Sequence, residues 1–221
     1  MQKQRISSRK RAPGPAQATS KPVPRRNVCV FCGSGAGRNP AYAAAAETFG
    51  RSLAAAGIGL VYGGGSLGLM GEVARATLAA GGRVTGIIPA FLSKKERMLT
   101  DVDELIVTDD MHERKRLMFE RSDAFVALPG GIGTLEELVE QMTWAQLGRH
   151  DKPVVIASIE GFWSPLLRLV DHMRDEAFIR PGLEVRVSVV ETAEEIVPLL
   201  ERAFAAGASM ETGNEAVIEK L

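Results

Sequence analysis

Three glycine-rich segments of this 221-residue chain have the composition of turns that bind phosphate. They cover residues 32–40 (CGSGAGRNP), 63–71 (GGGSLGLMG) and 129–134 (PGGIGT). Each follows an apolar run of strand length and opens a segment of helical period, so unpaired backbone N–H groups and positive helix ends point toward one region. Glycine also lacks the side chain that would hold an anion away from the backbone. The spacing therefore predicts a phosphate site.

The second segment matches the dinucleotide pattern G-x-G-x-x-G through Gly63, Gly65 and Gly68. A dinucleotide site also uses an acidic residue about 20 positions further on for the ribose hydroxyls. Residues 73–95 contain neither Asp nor Glu, and the Walker pattern G-x-x-x-x-G-K-[ST] is absent from the chain. These observations disfavour NAD and a P-loop triphosphate. No cluster with metal-ligand spacing occurs, and we predict no metal and no cofactor.

Two charged segments have ordinary structural interpretations when each is taken alone. Asp109 and Asp110 precede residues 111–116 (MHERKR), which is typical of a capped and solvated helix start. Thr134 and Glu137 have the T-x-x-E spacing of a capping box, in which the glutamate returns to the N-cap amide.

The elements that would position these segments alternate regularly along the chain. Strands are predicted at Val28–Phe31, Gly59–Tyr62, Val84–Ile88, Glu104–Val107, Ala124–Leu128, Val154–Ala157 and Ser188–Val190. Helices are predicted at Tyr42–Ala56, Leu67–Ala80, Met111–Arg121, Leu135–Leu147, Phe162–Met173 and Glu194–Phe204. This order predicts an α/β fold with a doubly wound, Rossmann-like parallel sheet and helices on both faces. Ligands of such sheets bind beyond the carboxyl ends of the strands.

Charge and composition divide the chain into one domain and two tails. Residues 1–26 carry eight basic residues, no acidic residue and four prolines, which predicts a disordered basic tail. Residues 27–206 form the predicted nucleotide-binding domain, and residues 207–221 a flexible tail. Lys+Arg and Asp+Glu each number 27, so the whole chain has no net field that would attract nucleic acid, which we consider an unlikely partner. We also expect no signal peptide and no membrane span.

The two cysteines, Cys29 and Cys32, have the C-x-x-C spacing of redox and zinc sites. On a strand, three residue steps separate the Cα atoms by about 10 Å, which exceeds the reach of a disulfide. Two ligands would also leave a zinc site half built. We therefore expect buried, reduced thiols and a cytoplasmic protein.

Taken together, the motifs resemble those of the LONELY GUY (LOG) family. The resemblance rests on residues 61–71 (VYGGGSLGLMG), residues 111–115 (MHERK) and residues 129–137 (PGGIGTLEE), where the family signature P-G-G-x-G-T-x-x-E is matched at every fixed position. It extends from about Asn27 to about Phe204. Members are cytokinin riboside 5′-monophosphate phosphoribohydrolases, and many carry the label "lysine decarboxylase". One departure is Gly35, where many relatives have a second serine.

The resemblance implies hydrolysis of the N-glycosidic bond of an adenine-type nucleoside 5′-monophosphate, such as AMP or a cytokinin nucleotide, with release of the base and ribose 5-phosphate. The residues that correspond to the family's functional arginine and glutamate are Arg114 and Glu137. The implied substrate-binding residues are Ser34, Gly64, Gly65, Met111, Lys115, Gly130, Gly131, Gly133 and Thr134. A fixed carboxylate at Glu137 would stabilise positive charge on the sugar or accept a proton from water. His112 is a conceivable proton donor to the base.

Two other functions remain open from the sequence. A protein of the same fold could bind a nucleotide without cleaving it. A pyridoxal-dependent decarboxylase would need a shielded lysine, whereas Lys94, Lys95 and Lys152 lie in polar surroundings and Lys115 lies in a charged helix start.

The resemblance also implies a homodimer. The helix over residues 134–147 has more apolar surface than one buried face needs, and it is the candidate interface. The residues that suggest this are Leu138, Met142, Trp144, Ala145 and Leu147.

Overall fold

The structure is a computed structural model that describes residues 21, 24, 26–93 and 97–206. The predicted tails lie outside the described residues, apart from Lys21, Pro24 and Arg26. Among the described residues, no helix combines the length and the apolar character needed to cross a membrane.

Seven parallel strands form one sheet, which confirms the predicted fold class. The strands are β1 (Asn27–Phe31), β2 (Gly59–Tyr62), β3 (Val84–Pro89), β4 (Glu104–Thr108), β5 (Ala124–Ala127), β6 (Val154–Ala157) and β7 (Ser188–Val190). Their order is β4-β3-β2-β1-β5-β6-β7. Strands β1, β2, β5 and β6 are buried almost throughout, as expected for a parallel sheet covered on both faces.

Helices cover both faces of this sheet. They are α1 (Pro40–Ala55), α2 (Gly68–Ala79), α3 (Ala90–Ser93), α4 (Met111–Glu120), α5 (Ile132–Gln146), α6 (Ser164–Asp175) and α7 (residues 196–206). Helices α1, α2 and α7 pack on one face, where Phe49 and Leu53 are fully buried. Helices α4, α5 and α6 pack on the other, where Met118 and Leu138 are buried. The apolar stripes predicted from helical periodicity therefore serve two separate core layers.

The boundaries differ from the predictions in a few places. The four-residue helix α3 and a short 3₁₀ helix at Ile159–Gly161 were not predicted. Helix α5 begins at Ile132 rather than Leu135, and α6 begins at Ser164 rather than Phe162. Phe162 and Trp163 instead belong to the turn that leads into α6, where Trp163 is buried against the sheet.

Cys29 and Cys32 are free, buried thiols, as predicted. Cys29 packs in the core layer of α4, α5 and α6, and Cys32 packs in the layer of α1, α2 and α7. Because successive side chains of a strand alternate between faces, the two thiols lie on opposite sides of the sheet. This geometry explains why the C-x-x-C spacing does not form a disulfide here.

Part of the predicted interface helix belongs to the core instead. Leu138 and Met142 of α5 are buried against the sheet, so for these two residues the interface prediction is wrong. Trp144 packs against the ring of Phe119 at a centroid distance of 5.2 Å. Leu147, at 70% exposure, remains available on the surface.

His150 lies in an aromatic cluster beside β5, with its ring centroid 5.5 Å from that of Phe119 and 5.6 Å from that of Phe125. Its Nδ1 accepts a hydrogen bond from the backbone N–H of Lys152 at 3.1 Å. Burial lowers the pKa of His150 below its usual value of 6.5. The folded protein therefore favours the neutral imidazole.

This environment makes stability depend on pH. Because the folded pKa is depressed, the unfolded chain binds more protons below about pH 6.5, and the stabilisation present above that value is lost as the pH falls. We expect His150→Asn to flatten the fall of the thermal unfolding midpoint between pH 7.5 and pH 5.5. Equal slopes for the native protein and His150→Asn would contradict this assignment.

Lys152 is not in the exposed polar surroundings expected from the sequence. Its Nζ lies 3.9 Å from the centroid of the Phe119 ring and donates to the Phe119 carbonyl at 2.8 Å. Burial lowers the pKa of this amine. The residue precedes β6, however, and so lies at the amino edge of the sheet, away from the glycine-rich turns.

Candidate active site at the carboxyl edge of the sheet

The three glycine-rich turns meet at the carboxyl edge, as predicted. Strand β1 has β2 on one side and β5 on the other, so the chain leaves β1 and β5 at the point where the winding direction reverses. Here the N–H of Gly33 donates to the carbonyl of Pro129 at 3.1 Å, and the N–H of Met70 donates to the carbonyl of Gly33 at 3.3 Å. These two hydrogen bonds join the first turn to the third and to the start of α2.

The third turn is packed on one side and open on the other. A Cβ atom built on Gly130 would lie 2.2 Å from the Thr134 hydroxyl oxygen, so the threonine side chain occupies that space. A Cβ on Gly131 or Gly133 would meet no atom within 4 Å. Both glycines are exposed, and they lie at the N-terminus of α5, where the first helical N–H groups have no partner within the helix.

The capping-box interpretation of this segment is wrong. Gly131 is the N-cap of α5, and Thr134 lies inside the first turn rather than before it. Thr134 and Glu137 are both buried, since residues three apart share one face of a helix. Helix α5 therefore begins before Thr134, and the glutamate of the signature is buried.

Glu137 forms an ion pair with Arg114 of α4. The guanidinium Nη1 lies 3.2 Å from Oε1 of Glu137, and the side chains are only 8% and 11% exposed, respectively. The Nε of Arg114 also donates to the Ile87 carbonyl of β3 at 3.2 Å. Two helices and a strand thus hold one arginine–carboxylate pair in a largely desolvated position, where charges interact more strongly than at the surface.

The negative charge of this pair affects two buried cysteines, Cys29 of β1 and Cys32, which follows that strand. The pKa values of Cys29 and Cys32 are raised, first by burial and second by the charge of Glu137. Raised pKa values also make these thiols poor nucleophiles.

Local capping fixes the start of α4. Asp110 is the N-cap and accepts from the N–H of Glu113 at 2.8 Å, and this hydrogen bond lowers the pKa of Asp110. Glu113 in turn accepts from the N–H of Asp109 at 3.0 Å. The capped, solvated start predicted from the sequence is therefore confirmed, and His112 is exposed on it. The same cap orients Arg114 toward the sheet.

Lys115 joins α4 to α5 beside the arginine pair. Its Nζ donates to Glu136 at 2.7 Å and to Glu140 at 2.9 Å. Burial opposes the charged form of Lys115, but the hydrogen bonds to the two carboxylates prevail and raise its pKa. Neighbouring residues of α4 thus bind neighbouring residues of α5, and the second contact supports the geometry of the first. The motif spacing did not indicate that Glu136 and Glu140 are the partners of Lys115.

The other predicted site residues lie around this pair with different exposure. Ser34 is exposed in the first turn, whereas Gly64 and Gly65 are buried in the second. Met111 is half-buried, and its sulfur lies 3.9 Å from Nη1 of Arg114. Their roles as ligand contacts stay predictions.

Concavity alone does not identify this site. Two surface concavities of about 440 Å³ and 590 Å³ lie at the opposite, amino edge of the sheet, near Asn27 and Gly57, respectively. Within the described part of the chain, no group of three or more His, Cys, Asp or Glu side chains could hold a metal. The chemistry of the carboxyl edge, rather than its volume, marks it as the candidate site.

Comparison with known proteins identifies the family of this chain. The family described as "Possible lysine decarboxylase" matches residues 70–200. A cytokinin riboside 5′-monophosphate phosphoribohydrolase of Arabidopsis thaliana is 48% identical over 176 residues, which cover 80% of this chain and 82% of that protein. The chain belongs to the LONELY GUY family. A probable cytokinin riboside 5′-monophosphate phosphoribohydrolase of Oryza sativa subsp. japonica is also 48% identical, over 80% of this chain and 72% of its own length.

Solved structures similar to this LONELY GUY chain support its fold. A molybdenum cofactor binding protein from Rippkaea orientalis is 24% identical with a TM-score of 0.59, over 81% of this chain and 98% of that one. A Moco carrier protein from Chlamydomonas reinhardtii is 23% identical with a TM-score of 0.61, over 82% and 98%. At this identity the likeness concerns the Rossmann-like fold alone.

Proposed function

We propose that this protein hydrolyses the N-glycosidic bond of a nucleoside 5′-monophosphate of the cytokinin or AMP type, releasing the base and ribose 5-phosphate. The observation that carries the proposal is the buried Arg114–Glu137 pair. Glu137 lies one helical turn after Gly133, which belongs to an open glycine turn. A turn that binds the phosphate and a carboxylate beside the sugar are the two features that a site for such a substrate requires. The curated relatives carry this activity in their names.

The phosphate would bind to the first N–H groups of α5. Gly131 and Gly133 leave open space there, Gly130 and Thr134 close the other side, and Ser34 is exposed in the first turn, which Gly33 joins to Pro129. Gly64, Gly65 and Met111 would line the remainder of the site. In this arrangement Lys115 of α4 supports the site indirectly: its ion pairs with Glu136 and Glu140 hold α4 against α5.

Cleavage would proceed through a sugar that carries positive charge. As the C1′–N bond breaks, its electron pair moves to the base, and an ionised Glu137 stabilises the cation more than it stabilises the ground state. Water then adds to C1′ and loses a proton, which the carboxylate can accept, and the departing base takes up a proton, so that neutral base and ribose 5-phosphate are released. Arg114 remains protonated, so it cannot be the base; it favours the charged form of Glu137 and fixes its orientation.

The open space at Gly131 offers a specific test of phosphate placement. Gly131→Ala should leave the unfolding midpoint unchanged, because the added methyl meets no protein atom. It should raise KM about tenfold, roughly the loss of one hydrogen bond to a charged group. In contrast, Gly130→Ala should lower stability by about 1–3 kcal/mol, because its methyl would collide with Thr134. An unchanged KM in Gly131→Ala would show that the phosphate does not bind to this turn.

One assay tests the function itself. The full-length protein is incubated with adenosine, AMP, ADP and a prenylated adenosine 5′-monophosphate, and released bases are separated by chromatography. We expect equimolar base and ribose 5-phosphate from the monophosphates and no base from adenosine. Saturable nucleotide binding without released base would instead support a non-catalytic nucleotide-binding module.

We further propose a homodimer, formed by the exposed apolar side chains of α5. Val139 and Leu147 are 41% and 70% exposed, and Leu169 of α6, on the same face of the sheet, is 48% exposed. Sedimentation should give twice the chain mass for the native protein and the single mass for a Val139→Glu, Leu147→Glu variant. A monomeric native protein would exclude this interface.

We also propose a cytoplasmic location, because buried, free thiols such as Cys29 and Cys32 are typical of a reducing compartment.

A further inference from the structure

Gly63, the first residue of the second glycine turn, lies directly against the guanidinium of Arg114. A Cβ atom on Gly63 would be 2.3 Å from Nη2 of Arg114 and 3.1 Å from the sulfur of Met70. The first separation is far below the 3.5–4.0 Å of favourable heavy-atom contact. The space that a side chain would take after β2 is therefore filled by the arginine.

The arginine has little freedom to yield this space. Its Nε is bound to the carbonyl of Ile87, its Nη1 faces Glu137 at 3.2 Å, and the residue is 7% exposed. Moving the guanidinium would separate a buried ion pair and leave its carboxylate without that cation, which is costly in a desolvated position. A side chain at Gly63 therefore has room only if Arg114 is displaced, at the cost of this ion pair.

The second turn also differs from the third in its packing. The carbonyl of Gly64 accepts from the N–H of Leu99 at 3.0 Å, and the N–H of Ser66 donates to the carbonyl of Arg97 at 2.9 Å. These hydrogen bonds attach the turn to residues 97–99. Gly63 itself is buried, whereas Gly131 and Gly133 are exposed beside open space. A buried glycine in contact with a guanidinium is suited to hold that group rather than an anion.

We propose that Gly63 is a positioning residue for hydrolysis: its missing side chain sets the place of Arg114 and, through it, the orientation of Glu137. This inference rests on the proposed function. It assigns the first glycine of the G-x-G-x-x-G match to the catalytic arginine rather than to phosphate binding.

Steady-state kinetics distinguish the two roles. Gly63→Ala should lower kcat about a hundredfold, the effect of displacing a catalytic group by about 1 Å, while KM changes less than about threefold. The matched control is Gly59→Ala at the start of β2, at the opposite edge of the sheet, where a Cβ would collide with the side chain of Asn27; this position is comparably crowded but away from the site, and its kcat should remain native. A raised KM with native kcat would assign Gly63 to the phosphate. Native values of both constants would also overturn the proposal.

A second measurement does not require activity. Gly63→Ala should lower the unfolding midpoint in the native background and leave it unchanged in an Arg114→Ala background, where the guanidinium is gone. An equal loss in both backgrounds would trace the effect to the backbone and overturn the proposal. If the native protein releases no base from any nucleotide, the proposed function fails, while this comparison still reports whether Gly63 positions Arg114.

Discussion

Replacing Glu137 by glutamine should lower kcat for base release by about a thousandfold in a protein that still folds but is less stable, because Arg114 loses the negative charge of its buried partner. The amide keeps the shape of the side chain but removes the negative charge and the proton acceptor, groups that contribute about 10²–10⁴ in rate each. The measurement is base released per enzyme under saturating nucleotide monophosphate, with circular dichroism of the same sample as the check on folding.

Glu136→Gln is the matched control for this variant. Glu136 precedes Glu137 on α5, but its side chain is 53% exposed and its partner Lys115 retains Glu140. Its kcat should stay within about twofold of native, as is usual for an exposed ion pair worth about 0–1 kcal/mol. If Glu137→Gln also hydrolyses at the native rate, the carboxylate has no part in the reaction.

Arg114→Met should damage both stability and activity. Removing the cation leaves Glu137 buried without it, and breaking such a pair costs about 3–5 kcal/mol. We expect the free energy of unfolding to fall by that amount in denaturant titrations, and base release to fall at least about a hundredfold, because the carboxylate loses its orientation.

The double variant Arg114→Met, Glu137→Gln separates these two effects. With both charges removed, most of the lost stability should return, because no buried carboxylate is left without the Arg114 cation. Activity should not return, since the carboxylate is absent. Losses of stability that simply add in the double variant would mean that the two residues do not form the coupled pair seen at 3.2 Å.

The sheet was predictable because burial and periodicity coincide in its strands. Apolar runs such as Val154–Ala157 are buried on both faces, and a run of four residues has the length of a strand rather than of a helix. The chain order of strands and helices then fixed the class of fold. Helix starts were less predictable: α5 begins at Ile132 with Gly131 as its N-cap, so Thr134 packs beside Gly130 and does not cap the helix.

The motifs suggested residues for the candidate site but not the contacts between them. The motif resemblance identified Arg114 and Glu137, which lie on different helices, and only the fold places them 3.2 Å apart. Local rules gave the cap at Asp110 correctly because its partner, Glu113, lies three residues away. They could not reveal that Gly63 adjoins Arg114, because that contact spans about 50 residues.

Polar residues far from the site were the least predictable. Lys152 was expected in solvent, yet its amine lies over the Phe119 ring. The stem of a lysine can cover apolar surface while its ammonium contacts an aromatic face, so charge in the sequence does not by itself place the side chain. The neighbouring His150 contacts the same ring. Both placements follow from packing between strands and helices that are distant in sequence.

The central claim is that a nucleotide lies with its phosphate on the turn of α5 and its sugar beside Glu137. A crystal structure of Glu137→Gln soaked with AMP tests it most directly, since the slow variant should retain intact substrate. We predict phosphate oxygens within hydrogen-bond distance of the Gly131 and Gly133 N–H groups, and C1′ within about 4 Å of the residue 137 side chain, the range of direct contact. A nucleotide bound at the amino edge, or with its sugar turned away from residue 137, would contradict the account.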